Sequence, residues 1–160
     1  MKLGQTVTKQ LGSELGVSKE KQLNYEKQLD GLTLRFEIVD SDKFSFLIKC
    51  IQLDSVKEWD FADLEKRAQI LAEKLTYLTE DLIIVETDTE NGKIQLRSDS
   101  PEKTHDKTSF FEIMMETTGV VKFERIQFES QTNVKSSVSF QLTKEVFQRL
   151  LNHLAEALSG

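Results

Sequence analysis

The feature that most constrains this chain is a change of hydrophobic period. Between Leu32 and Cys50 apolar residues fall at every second position: Leu32, Leu34, Phe36 and Ile38, then, past Asp40-Ser41-Asp42-Lys43, Phe44, Phe46, Ile48 and Cys50. Alternation gives a pleated strand one apolar face, and a polar turn between two such runs reads as a hairpin. Leu47, Ile51 and Leu53 add apolar groups to the other side of the second strand, which places it inside a sheet. From Phe61 the spacing becomes helical, with Phe61, Leu64, Ala68, Leu71, Leu75 and Leu78 in one stripe. Asp60 stands as its N-cap, and Trp59 and Leu64 occupy the two positions of a hydrophobic staple.

The same reading extends to the second half. Asn91-Gly92 signals a two-residue hairpin turn that pairs Glu90 with Lys93, Asp88 with Gln95 and Glu86 with Arg97, and sets Ile83, Val85 and Thr87 against Ile94 and Leu96. Residues 98–108, with Pro101 and His105, form a long polar loop that is either mobile or functional. Phe111, Ile113, Met115, Val121 and Phe123 continue the strand pattern, but Ile126 and Phe128 follow on the opposite parity, which predicts a β-bulge near Glu124-Arg125. Val134, Val138, Phe140 and Leu142 mark the last strand. Thr143 caps a final helix with the stripe Phe147, Leu150, Leu151, Leu154 and Leu158. The expected fold is therefore α+β: a curved, mainly antiparallel sheet of about seven strands packed by two amphipathic helices, with a short N-terminal helical segment.

That segment is the least settled part. Leu3, Val7, Leu11 and Leu15 recur every fourth residue and can line one helical face, yet Gly4, Gly12 and Gly16 each cost a helix about 1 kcal/mol relative to alanine. The chain accordingly divides into a marginal segment, residues 1–17, and a single α+β domain, residues 18–160. A second helix start is read at Ser18, with Glu20 and Lys21 behind it, Leu23 and Leu29 as apolar positions, and Asp30-Gly31 as the stop. Leu3, Val7, Leu11 and Leu15 have no evident partner within the domain. They are the candidate partner interface, docked on the domain or ordered by a partner. A homodimer is expected, joined through this segment or through a sheet edge such as the serine-rich last strand, which carries only Lys135 as a guard.

Composition narrows function by exclusion. A net charge of −6 without a cluster of basic and aromatic residues argues against a nucleic-acid partner. Apolar runs as short as Leu82 to Val85 argue against a membrane partner, and the N-terminus lacks the apolar stretch of a signal peptide, so a cytoplasmic protein is expected. Cys50, set among Phe46, Ile48 and Ile51, reads as a buried thiol, and a lone cysteine forms no internal disulfide. His105 and His153 stand apart from other ligand residues. No catalytic residue, cofactor or metal site is predicted, and the chain is expected not to be an enzyme.

Two binding classes remain. The first is a non-enzymatic protein-binding or chaperone-like module. Leu11-Gly12 and Leu15-Gly16 ahead of the first strand resemble the corresponding stretch of small, acidic secretion chaperones, although the many strands before the last helix depart from that pattern. The second is a domain that takes a small apolar ligand into a Phe-rich cavity. Ten phenylalanines against two tyrosines and one tryptophan suit such a cavity, and the order hairpin, helix, strands, helix resembles helix-grip folds in outline.

Overall fold

The computed structural model describes residues 2–17 and 22–159, with side chains from residues 2–14 and 22–159. Helix α1, Leu3–Val17, leads into a three-stranded meander of β1 (Leu23–Leu29), β2 (Leu32–Ser41) and β3 (Ser45–Ser55). Helix α2, Phe61–Lys74, precedes β4 (Leu82–Asp88), β5 (Lys93–Ser98), the two-residue β6 (Glu102–Lys103), β7 (Lys107–Glu116), β8 (Val120–Glu129), β9 (Val134–Val138) and β10 (Phe140–Thr143). Helix α3, Lys144–Ala157, follows at once. Seven core strands form one open antiparallel sheet in the order β1-β2-β3-β8-β7-β5-β4.

The pairing register explains why this sheet has two unlike faces. One row of cross-strand neighbours runs through all seven strands as Tyr25, Phe36, Ile51, Phe123, Ile113, Leu96 and Ile84. The row two residues along is Lys27, Leu34, Leu53, Val121, Met115, Ile94 and Thr87, apolar inside and polar only at the two edges. The intervening row, on the other face, reads Glu26, Arg35, Gln52, Lys122, Met114, Gln95 and Glu86. Between bulges every second residue thus faces the core, and a one-residue slip of a strand would invert it.

Three helices cover the apolar face. The α3 stripe of Phe147, Leu150, Leu151 and Leu154 is buried, with α1 and α2 packed on either side of it. Phe147 meets Phe36 and Phe46 edge-on, and Phe111, Phe123 and Phe140 form a second ring cluster. Both predicted caps are present: the Asp60 carboxylate accepts from the Asp63 N–H, and Thr143 Oγ1 accepts from the Val146 N–H. Arg67 of α2 lies 3.6 Å over the Trp59 ring and donates to the carbonyls of Ala157 and Ser159, tying α2 to the end of α3. Helix α2 stops at Lys74, but Leu75 and Leu78 beyond it remain buried.

The sheet forks at its centre. β8 pairs with β3 only over Val120–Phe123, and its second half, Arg125–Glu129, pairs with β9 instead. β10 then pairs with the first half of β3 through Phe140↔Ile48 and Leu142↔Phe46. The β9–β10 segment, broken at Ser139, thereby fills the wedge between two diverging strands.

Three local expectations are corrected. Leu23 to Leu29 is strand β1, not helix, because pairing with β2 buries Tyr25 against Phe36; the proposed start at Ser18, Glu20 and Lys21 lies outside the described residues. The bulge expected at Glu124-Arg125 is absent: β7 and β8 pair without a shift from Lys107↔Glu129 to Glu116↔Val120. The parity change arises because Ile126 turns to the face opposite Phe123, next to Phe110 of β7. Register shifts fall elsewhere, at Cys50, Val39 and Val85, each the unpaired residue of its ladder. Residues 98–108 are not a plain loop, since β6 pairs with β7 through Glu102↔Ser109 and Lys103↔Thr108.

Candidate polypeptide-binding edge

The residues proposed for a partner interface are largely used within the chain. Val7 and Leu11 are fully buried and Leu3 packs against the same core, where α1 lies along α3. Contact is close because Gly4 lacks a side chain: a Cβ there would stand 2.2 Å from the Gln148 carbonyl oxygen, and the Gly4 N–H donates to Asn152 Oδ1 at 2.8 Å. The side chain of Leu15 lies outside the described residues. The N-terminal stripe therefore has its partner in α3, a helix too distant in sequence for periodicity to connect.

What remains open is the sheet edge. An edge strand offers a row of N–H and C=O groups to any extended chain unless something blocks them. β1 is guarded: Lys27 sits in the core-facing row, and the Tyr25 hydroxyl donates to Gln10 Oε1 of α1 at 2.5 Å. Among the described residues β4 pairs only with β5. Leu82 and Ile84 turn toward the core, while Ile83 and Val85 remain 42% and 38% exposed. Ile83 pairs with Arg97 and so lies on the helix-free face; Val85 is the bulged residue.

The hairpin register that makes β4 an edge differs from the expected one. Asp88 pairs with Lys93, leaving Thr89 to Gly92 as a four-residue turn, and Glu86 pairs with Gln95. Gly92 adopts φ +64, a conformation side chains disfavour, and the Asp88 carboxylate accepts from the Asn91 backbone and side chain. Those bonds hold the Asp88 carboxyl below its usual range. Ile83, Val85 and Thr87 do not all share a face with Ile94 and Leu96 as expected: Thr87 pairs with Ile94, Ile84 takes the place opposite Leu96, and Ile83 and Val85 are left exposed.

The edge is acidic. Asp81, Glu86 and Glu90 are exposed, and no ion pair engages them among the described residues. Nearby cations are committed: Lys93 Nζ is 3.3 Å from Glu116, and the Arg97 guanidinium lies over the Phe110 ring. Glu80, by contrast, is half of a well-buried pair with Arg125 at 3.1 Å.

The chemistry-bearing residues are dispersed. Cys50 is half-buried at its bulge, where burial and then Glu124 push its thiol pKa up. His105 lies exposed in the β6–β7 turn, and His153 sits on α3 with Nδ1 2.8 Å from the Tyr77 hydroxyl. No group of three or more His, Cys, Asp or Glu is placed to hold a metal ion, and no helix is long and apolar enough to cross a membrane, among the described residues. The chain matches no protein-family model, no curated protein and no solved structure.

The edge had a signal in the sequence. A sheet covered on one face needs one apolar residue in two, and Leu82-Ile83-Ile84-Val85 supplies four in succession. Two of them are surplus to the core.

Proposed function

We propose that this chain is a polypeptide-binding module, chaperone-like in holding an extended segment of another chain. The observation that carries the proposal is the edge of β4, which among the described residues has no strand on its outer side and runs beside exposed Ile83 and Val85. Strand addition of this kind draws affinity from main-chain hydrogen bonds and specificity from alternate side chains. The small-ligand alternative has no comparable support, since Phe36, Phe46, Phe111, Phe123, Phe140 and Phe147 are packed ring against ring. The recess of about 460 Å³ on the helix-free side of β1 to β3, with Glu26, Arg35, Glu37 and Lys49 among its lining residues, is open to solvent and does not enclose a ligand.

The test is amide hydrogen exchange on the full chain, with and without extended peptides of varied sequence. Binding should slow exchange in β4 while β1 is unchanged. If no peptide protects β4, the module reading falls.

A further inference from the structure

We infer that the occupant of the β4 edge is an extended segment with a β-branched apolar centre and basic residues on both sides, and not a second copy of this chain. The inference rests on the polypeptide-binding reading and adds the chemistry of the partner.

Charge decides between the two occupants. β4 has an apolar centre, Leu82 to Val85, with Glu80 and Asp81 before it and Glu86, Asp88 and Glu90 after it. Glu80 is neutralised by Arg125, but antiparallel pairing of two copies about Ile84 would still bring Asp81 of one copy and Glu86 of the other to neighbouring positions at each end. Shifting the register by one residue either way sets Asp81 opposite Glu86 or opposite Asp88. Like charges directly across a sheet are destabilising, so self-pairing in these registers is penalised at both ends by symmetry.

A basic-flanked segment reverses every one of these terms. Asp81, Glu86 and Glu90 are exposed and make no ion pair among the described residues, so an incoming lysine or arginine displaces no partner found there. The helix-free row shows the same logic at its other end, where Glu26 is answered by Arg35 at 3.4 Å, while at the β4 end the cross-strand neighbour of Glu86 is the neutral Gln95. The apolar centre of the segment would lie beside Ile83 and Val85, covering the surface that β5 leaves exposed.

Two synthetic peptides test this against the full chain by calorimetry and hydrogen exchange: alternating valine and threonine flanked at each end by two lysines, and the same centre flanked by glutamates. The basic peptide should bind at least about tenfold more tightly, weaken as salt is raised and protect β4 amides. Asp81→Lys with Glu86→Lys, both at exposed positions, should invert the preference. Equal binding of the two peptides at β4 would overturn the charge inference and leave the module reading standing. Binding of neither would remove both. Protection elsewhere than β4, or concentration-dependent protection of β4 without peptide, would also overturn the inference, the latter by showing a second copy in place.

Discussion

Arg125 shows what a single side chain does when strand parity sends a cation inward. It shares the core-facing side of β8 with Phe123, lies over the Phe111 ring at 4.5 Å and reaches Glu80 at 3.1 Å, with side-chain exposures of 12% and 11% for the pair. Its other carboxylate, Glu102, is on the exposed β6. Removing Arg125 strands the buried Glu80 carboxylate, so Arg125→Met should cost about 3 kcal/mol, whereas Arg125→Met with Glu80→Leu should be nearly neutral. Denaturant midpoints of the two variants check the contrast; equal losses would show that the pair itself, and not the stranded charge, carries the effect. His153 supplies a pH dependence. Burial lowers its pKa, and the Tyr77 hydroxyl beside it has its own pKa raised by burial. The unfolded chain then holds the proton more tightly than the folded one, so this stabilisation is complete above the unfolded value of about 6.5 and is lost as pH falls through the lower folded value. His153→Gln should flatten the stability profile as pH falls below about 6.5, and a profile parallel to that of the unsubstituted chain would deny His153 that role.

At the scale of elements, α1 and α3 illustrate what periodicity reveals and what it hides. The four-residue repeat of Leu3, Val7 and Leu11 marked a helix correctly, and Gly4 and Gly12 both counted against it. Only the crossing separates the two glycines: Gly4 is where α3 approaches, while a Cβ on Gly12 would meet nothing within 4 Å. Gly4→Ala should therefore destabilise by about 1 to 3 kcal/mol through overpacking, and Gly12→Ala should stabilise by about 0.4 to 1 kcal/mol through the unfolded chain. Thermal melts of the two variants should move in opposite directions, and a parallel shift would refute the close crossing. Caps and stripes of α2 and α3 were legible because their signals are local. Strand order and the bulges at Val39, Cys50 and Val85 were not, because each depends on which strand lies alongside. β1 was misread for the same reason, its helical spacing being outweighed by pairing with β2.

For the whole molecule, the consequence of α1 packing on α3 is that residues 1–17 belong to the energetics of the fold. A chain beginning at Ser18 loses the burial of Val7 and Leu11, worth about 1.5 to 3 kcal/mol each. At about 2 to 4 °C per kcal/mol for a domain of this size, its melting temperature should drop by about 6 to 24 °C. Calorimetry of both chains decides the matter, and an unchanged melting temperature would show α1 to be dispensable. The wedge formed by β9 and β10 carries a further implication, for the time course of folding. β10 closes onto β3 from a position some ninety residues later in the chain, as Leu142↔Phe46 shows, and the Gly4–Asn152 hydrogen bond spans 148 residues. Contacts so remote in sequence are slow to form and cannot be made during early synthesis. A nascent chain that has already laid down β1 to β8 still has an unsealed fork at its middle and an apolar sheet face without its central helix. Chains ending before β9 should accordingly be cleaved by protease throughout their length, and survival of a resistant β1–β8 core would show that the sheet stands without its late strands.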